Sequence, residues 1–309
     1  MGSFRAPRCW LSALLASTLA ALASATWVLA TGDAWEWRSG YLIGGEGVHL
    51  RLDGVSALFL ALVAVVGGAG AAYSREYWAA QAHPISARLG RWWWSALLLC
   101  MGLLLVCSNG LHFLIAWELF ALCAYFLITL DGQRREVRAA GWLYLAASHA
   151  GTLGLLAFFS LLAARTGSWD LGPMREQAGL APLFWLALFG FGVKAGLFPL
   201  HIWLPSAHAN APSHVSAILS GVAIKLGIYG IVRFSGWLPV PEPAGWLVTA
   251  LGACAIAGGP FGGSSQVLNG TTGVVPVDLF VPGCPPHPLT ILDGLLRLLG
   301  RLEEREGKS

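Results

Sequence analysis

Apolar runs of about 20 residues, the length needed to cross roughly 30 Å of hydrocarbon, recur along the chain. They cover 9–30, 53–74, 92–108, 110–130, 137–163, 181–204 and 213–234, with a shorter stretch at 244–257. Polar residues collect in the short connections between them. The pattern predicts an all-α polytopic membrane protein with about 7–8 transmembrane helices. The first run follows Arg5 and Arg8 as a secretory signal would, but it continues from Trp10 to about Ala30. That exceeds a signal's apolar region, and further spans follow, so it reads as a retained first helix.

Near residue 255 the pattern changes. GGPFGGSSQVLNGTTG is a Gly/Ser/Thr loop whose backbone groups would go unsatisfied against lipid, so the membrane part ends there. VVPVDLFVPG follows as a β-branched, strand-like run, and LTILDGLLRLLGRLEEREGKS carries leucines at helical spacing before a charged end. The chain therefore divides into a transmembrane domain, 1–250, and a small Gly/Pro-rich tail, 251–309, with a short strand and helix. About 50 residues build little core alone.

Basic residues set orientation. If seven spans alternate, Arg5, Arg8, Arg75, Arg88, Arg91, Arg134, Arg135 and Arg138 fall on one side and Arg38, Arg51, Arg165, Arg175 and Arg233 on the other. The excess favours a cytoplasmic N-terminus for a multi-pass protein of the inner (cytoplasmic) membrane. Composition agrees with the pattern: 56% of residues are hydrophobic and 11% charged, against about a quarter charged in soluble domains. The net charge of +3 is spread over loops, without the basic stripe that nucleic acid requires.

Against this background, three ionisable side chains inside the spans stand out. Glu118 lies about 12 Å into its helix and Lys225 about 18 Å into its own, both near the bilayer midplane. Lys194 is similarly deep, in a helix that meets Pro199 and Pro205, so its backbone ladder is interrupted just beyond the lysine. Each such residue costs roughly 3 kcal/mol or more to insert and marks a proton or ion path. Broken helices at this depth face protein or a wet cavity. Burial weakens a lysine's hold on its proton and a nearby carboxylate restores it, so Glu118, Lys194 and Lys225 can form a lateral proton relay. The alternative is a static Glu118–Lys194 pair that fixes helix register.

Histidines add candidates. His149 is intramembrane and His208 lies beside the broken helix, and either can extend the relay. His201 and His214 read as helix-end hydrogen bonders, and Asp53 as the N-cap of the second span and no more. Four cysteines (Cys9, Cys100, Cys107, Cys123) sit in or beside apolar helices as small hydrophobes, whereas Cys254 and Cys284 lie in Gly/Pro-rich sequence.

The run GVKAGLFPLHIWLPSAHANAPSHVSAILSGVAIKLGIYGIVRF, with IAWELFALCAYFLI, resembles the antiporter-like proton-translocating subunits of complex I, Mrp-type antiporters and energy-converting membrane hydrogenases. The resemblance covers roughly residues 40–250. It implies inverted five-helix repeats with discontinuous helices and a midplane chain of charges. Glu118 matches the glutamate of the family's WE motif, Lys194 its broken-helix lysine, Lys225 the lysine of the following helix, and His208 its loop after WLP. The second repeat is absent.

After residue 250, GACAIAGGPF and VPVDLFVPGCPPHPLTILDGLLRLL resemble the C-terminal part of the iron-sulfur small subunit shared by complex I and nickel-iron hydrogenases of the formate hydrogenlyase type. There the two motifs supply the last two cysteines of a [4Fe-4S] cluster, matching Cys254 and Cys284. The first pair has no counterpart, and a cubane cluster takes four thiolates. The resemblances imply a proton-translocating subunit, not catalytic alone, of a complex I-like or membrane-bound [NiFe] hydrogenase complex. Its partners would be the other membrane and iron-sulfur subunits and the lipid bilayer. The alternatives are an Mrp-type cation/proton antiporter module, or a non-functional fusion of two fragments from one gene cluster.

Overall fold

The computed structural model describes residues 5–256. The chain divides into two units, Met1–Ala244 and Gly245–Ser309. In the first unit, α1 (Arg5–Thr31) leads into a β-hairpin, β1 (Trp35–Ile43) and β2 (Glu46–Leu52). The helices α2 (Gly54–Tyr77), α3 (Pro84–Val106), α4 (Gly110–Ile128) and α5 (Arg135–Thr166) follow. Next come the short α6 (Leu183–Ala195) and α7 (Trp203–Asn210), then α8 (Ser213–Ile218), a π-helical turn (Leu219–Ala223) and α9 (Ile224–Trp237). The last described helix, α10 (Glu242–Ile256), carries the chain into the second unit. Among the described residues, six helices are long and apolar enough to span a membrane, the last running through Ser213–Trp237, with α6 as a shorter apolar helix. The fold is thus an all-α polytopic membrane protein with one broken span.

Consecutive spans run antiparallel, because the connections gather at two ends. At one end, Ser108 N–H donates to His49 O, Gly110 N–H to Trp169 O and Met174 N–H to Trp237 O, joining the hairpin, the α3–α4 turn, the loop after α5 and the end of α9. At the other, the Ser213 hydroxyl meets Tyr77 OH at 3.0 Å.

The hairpin was not anticipated. Ile43 pairs with Glu46 across Gly44 and Gly45, whose φ values of +62° and +87° suit the two-residue turn that matches strand twist. His49 pins it to the bundle. Its ring nitrogens lie 3.0 Å from Glu36 Oε1 and 3.3 Å from Asp170 Oδ1, and Arg38 bridges the same two carboxylates. The Arg38 hydrogen bond is the main reason the Glu36 carboxyl is held below its usual range.

Asp53 caps α2 as expected, its carboxylate accepting from Ser56 N–H at 3.0 Å. It also does more than cap the helix. Arg233, near the end of α9, donates to both carboxylate oxygens at 2.6 and 2.7 Å. The same guanidinium meets Ser56 Oγ at 2.7 Å and Tyr229 OH at 3.2 Å and stacks on Tyr229 and Trp237. Burial works to raise the Asp53 carboxyl, but Arg233 and the cap hydrogen bond outweigh it and hold the group below its ordinary value.

Glycines set how closely the central helices approach. A Cβ on Gly190 of α6 would lie 2.8 Å from Gly151 O of α5, and one on Gly227 of α9 would strike the backbone of Phe191 and Ala195 in α6. Such contacts replace a hydrophobic driving force that lipid cannot supply. Between these backbones and α4 sits an aromatic core of Phe113, Trp117, Phe159, Phe191 and Phe234.

Candidate functional site

The α5–α6–α9 contacts place Lys194 in the last turn of α6 with only 2% of its surface exposed. The helix stops because Gly196 adopts φ +69° and its N–H turns back to Gly192 O and Val193 O. Trp203 Nε1 then donates to Val193 O at 2.9 Å, satisfying a carbonyl the break releases. The break therefore begins at Gly196, with Pro199 in the following turn. Pro205 lies inside the first turn of α7, where a missing N–H costs no helical bond, so it does not break a helix.

The Lys194 ammonium donates to Tyr144 OH at 2.8 Å and Ser148 Oγ at 3.2 Å, both on α5. It sits 4.4 Å from the Phe120 ring centroid and 4.6 Å from that of Tyr144. Aromatic faces and the negative end of α6 stabilise a cation here. Glu118 is within electrostatic reach but makes no direct ion pair with the lysine. Its Oε2 lies 3.2 Å from His149 Nδ1, while its Oε1 is buried without a hydrogen-bond partner. The static Glu118–Lys194 pair considered from sequence is therefore absent. The Glu118 and His149 side chains are 30% and 48% exposed.

Lys225 follows the π-helical turn, where a widened ladder leaves a carbonyl for it. Its Nζ donates to Ser220 O at 2.5 Å. Ser220 Oγ donates to Ser216 O, and Ser216 Oγ lies 3.0 Å from His208 Nδ1. His208 is within electrostatic reach of Lys225, and its buried Nε2 is unpartnered. Lys194 and Lys225 thus flank the α6–α9 crossing at Ala195 and Gly227 without being bonded to each other. Among the described residues His201 Nδ1 and His214 Nδ1 are buried without a hydrogen-bond partner.

Tyr144 and Ser148 were missed from sequence. Their i, i+4 spacing in YLAASHAG puts two hydroxyls on one helix face, the signal that could have found them. Cys254 lies on α10, where only the backbone is described, and Cys284 lies outside the described residues. No group of three or more metal-binding side chains occurs among the described residues. Cys100 and Cys123 are buried in membrane-spanning helices. Two tail thiols are half of a cubane's ligand set, so the chain's own residues do not fit a [4Fe-4S] cluster.

The family model described as NADH:quinone oxidoreductase/Mrp antiporter, TM, matches residues 107–267. That for the NADH ubiquinone oxidoreductase 20 kDa subunit matches residues 240–298. Hydrogenase-4 component B of Escherichia coli (strain K12) is 33% identical over 82% of this chain and 39% of its own. NADH-quinone oxidoreductase subunit M of Pseudomonas aeruginosa is 29% identical over 72% of this chain and 48% of its own. The chain therefore spans less than half of each of these relatives. A chain of the membrane-bound sulfane sulfur reductase, an archaeal respiratory membrane complex, shares the fold with a TM-score of 0.63 at 21% identity, covering 79% of this chain and 42% of that one. The chain belongs to the NADH:quinone oxidoreductase/Mrp antiporter family of membrane subunits.

Proposed function

We propose that this chain moves protons within the membrane arm of a hydrogenase-type respiratory complex, through Glu118, Lys194 and Lys225, driven by electron transfer in partner subunits. The carrying observation is the Lys194 ammonium, buried at a helix break and held by two hydroxyls with no carboxylate bonded to it. A proton there is sensitive to the charge of Glu118, which is close enough to act and is bound elsewhere. Ser148 and Tyr144 can pass a proton to or from Lys194. Ser216 and His208 extend the path from Lys225. Identity to hydrogenase-4 component B over most of this chain favours a hydrogenase-type partner set.

The Glu118–His149 pair supports partners beside this chain. A partly exposed carboxylate and imidazole at membrane depth are costly against acyl chains, so a neighbouring membrane subunit covers that face. Residues 251–309 would join the iron-sulfur side of the assembly, as their match to the 20 kDa subunit family suggests. No step runs through a cluster held by this chain. We place the N-terminus in the cytoplasm and the chain in the inner membrane, on the basic-residue count.

The test is proton pumping in inverted vesicles containing the assembled complex. Lys194→Met and Glu118→Gln should each abolish most pumping while abundance in the membrane stays unchanged. Wild-type pumping by either variant refutes the relay. Sodium-dependent transport without any redox partner would instead indicate an antiporter module.

A further inference from the structure

We propose that α1, α2 and α3 bind one anionic phospholipid, its phosphate between Arg75 and Arg91 and an acyl chain in the groove along α1. A cavity of about 210 Å³ opens where the ends of these helices meet α8, lined among others by Trp10, Arg75, Trp78, Arg91, Trp94 and His214. None of its lining residues is acidic. Among the described residues neither guanidinium has an ion-pair partner. The three indole N–H groups are already committed, to Ser95 Oγ, Ser86 Oγ and Gly67 O. The walls therefore offer ring faces, and the unspent polar groups are Gln81, the two arginines and His214. That histidine is 5% exposed and its Nδ1 has no partner. Two unpaired guanidiniums and an unsatisfied imidazole at a membrane boundary, framed by tryptophans, have the chemistry of a phosphate headgroup site.

What lies next to the cavity separates a lipid from a free anion. A second, apolar cavity of about 520 Å³ shares Trp10 with the first and is bounded by Leu14, Leu60, Leu98 and Gly102. It extends along α1 to Ala21, where a third cavity of about 540 Å³ begins. From Trp10 to Ala21 is about 17 Å of helix, close to the roughly 15 Å of one leaflet's hydrocarbon. Only 17% of the most apolar stretch of α1 is buried by the rest of the chain. The space between α1 and its neighbours thus has the length and polarity of an acyl chain, beginning beneath a cationic pocket. Bilayer interiors leave no such gap empty, because voids forfeit dispersion contacts.

The experiment uses the full chain, purified from membranes in mild detergent with whatever partners remain bound, and read by native mass spectrometry with lipid extraction. The expected result is one anionic phospholipid retained per chain, with occupancy lowered about tenfold or more in Arg75→Gln/Arg91→Gln. Gly102→Phe should displace it as well, by filling the groove. A Cβ at that position meets nothing within 4 Å, so the new side chain leaves the helix into open space. Adding anionic phospholipid to delipidated protein should raise its melting temperature, whereas zwitterionic phospholipid or inorganic phosphate alone should not. Wild-type occupancy in the double arginine variant overturns the proposal, as does equal stabilisation by zwitterionic lipid. Stabilisation by inorganic phosphate that survives Gly102→Phe assigns the pocket to a free anion instead, and a groove filled by a partner's helix in the purified complex assigns it to protein. Should the arginine variant fail to accumulate, Gly102→Phe and the add-back series decide alone.

Discussion

Breaking the Asp53–Arg233 pair from either side should cost different amounts, and pH should tell the two apart. The side chains are 20% and 7% exposed, so the arginine is the more deeply buried partner. Removing one partner of a buried pair costs about 3–5 kcal/mol. Arg233→Met leaves a carboxylate that is partly wet and still accepts from Ser56 N–H, which puts its cost near the lower figure, about 3 kcal/mol. Asp53→Asn keeps a capping oxygen but strands a guanidinium that cannot neutralise itself, which puts its cost near about 5 kcal/mol. The double variant should recover most of the loss, with a coupling of about 2 kcal/mol or more.

The wild-type carboxyl is held below its ordinary 3.8. Its contribution is therefore present above about pH 4 and is lost as pH falls through the folded value. In Arg233→Met the stranded carboxylate can take up a proton instead, so that variant's deficit shrinks on acidification while that of Asp53→Asn does not. Unfolding of the purified protein in mixed detergent micelles, followed at pH 7 and pH 5, measures both. Additive single costs in the double variant, or equal pH dependence of the two singles, would refute the reasoning.

Gly227→Val should destabilise the bundle by about 3 kcal/mol or more, since its side chain would meet backbone that cannot yield; thermal aggregation of the detergent-solubilised protein reads this. Tyr144→Phe keeps the ring beneath the Lys194 ammonium but removes one charge-assisted hydrogen bond, a loss of about 1.5–3 kcal/mol. It should reduce pumping while Ser148→Ala, acting on the longer 3.2 Å contact, reduces it less; the reverse order counts against Tyr144 as the principal partner. His49→Gln should loosen the hairpin without affecting pumping, seen as faster hydrogen exchange confined to residues 35–52.

The long spans were legible because the bilayer admits few solutions: apolar length alone located every helix of 19 residues or more. The hairpin was not, because 35–52 lacks such length and its signal is local, the Gly-Gly turn between alternating residues in YLIGGEGVHL. Lys194, Glu118 and Lys225 were visible as costly residues in costly places. Their partners were not, because a hydroxyl at i and i+4 is common in helices and becomes informative only once Gly190 and Gly151 set the α5–α6 approach. By sequence alone Arg233 counts as a loop charge. Burial against Tyr229 and Trp237, which hydropathy cannot reveal, made it the lock on α9.

That lock bears on the relay. Arg233 fixes the far end of α9 to α2, and Gly227 fixes its middle to α6, so Lys225 and Lys194 ride on backbones that have little freedom to move. The mobile term must then be Glu118. Its carboxylate has one oxygen in contact with a half-exposed histidine and the other buried and unsatisfied, and an unsatisfied buried oxygen favours any move that finds it a partner. The contact with His149 holds the carboxylate in place; breaking it lets the negative charge move relative to Lys194. His149→Gln should therefore uncouple pumping from electron transfer, leaving redox turnover intact while proton movement falls. His149→Lys, which keeps a hydrogen-bond donor beside Glu118, should preserve part of it. Equal coupling in His149→Gln and wild type would leave Glu118 without a switch and return it to a fixed charge.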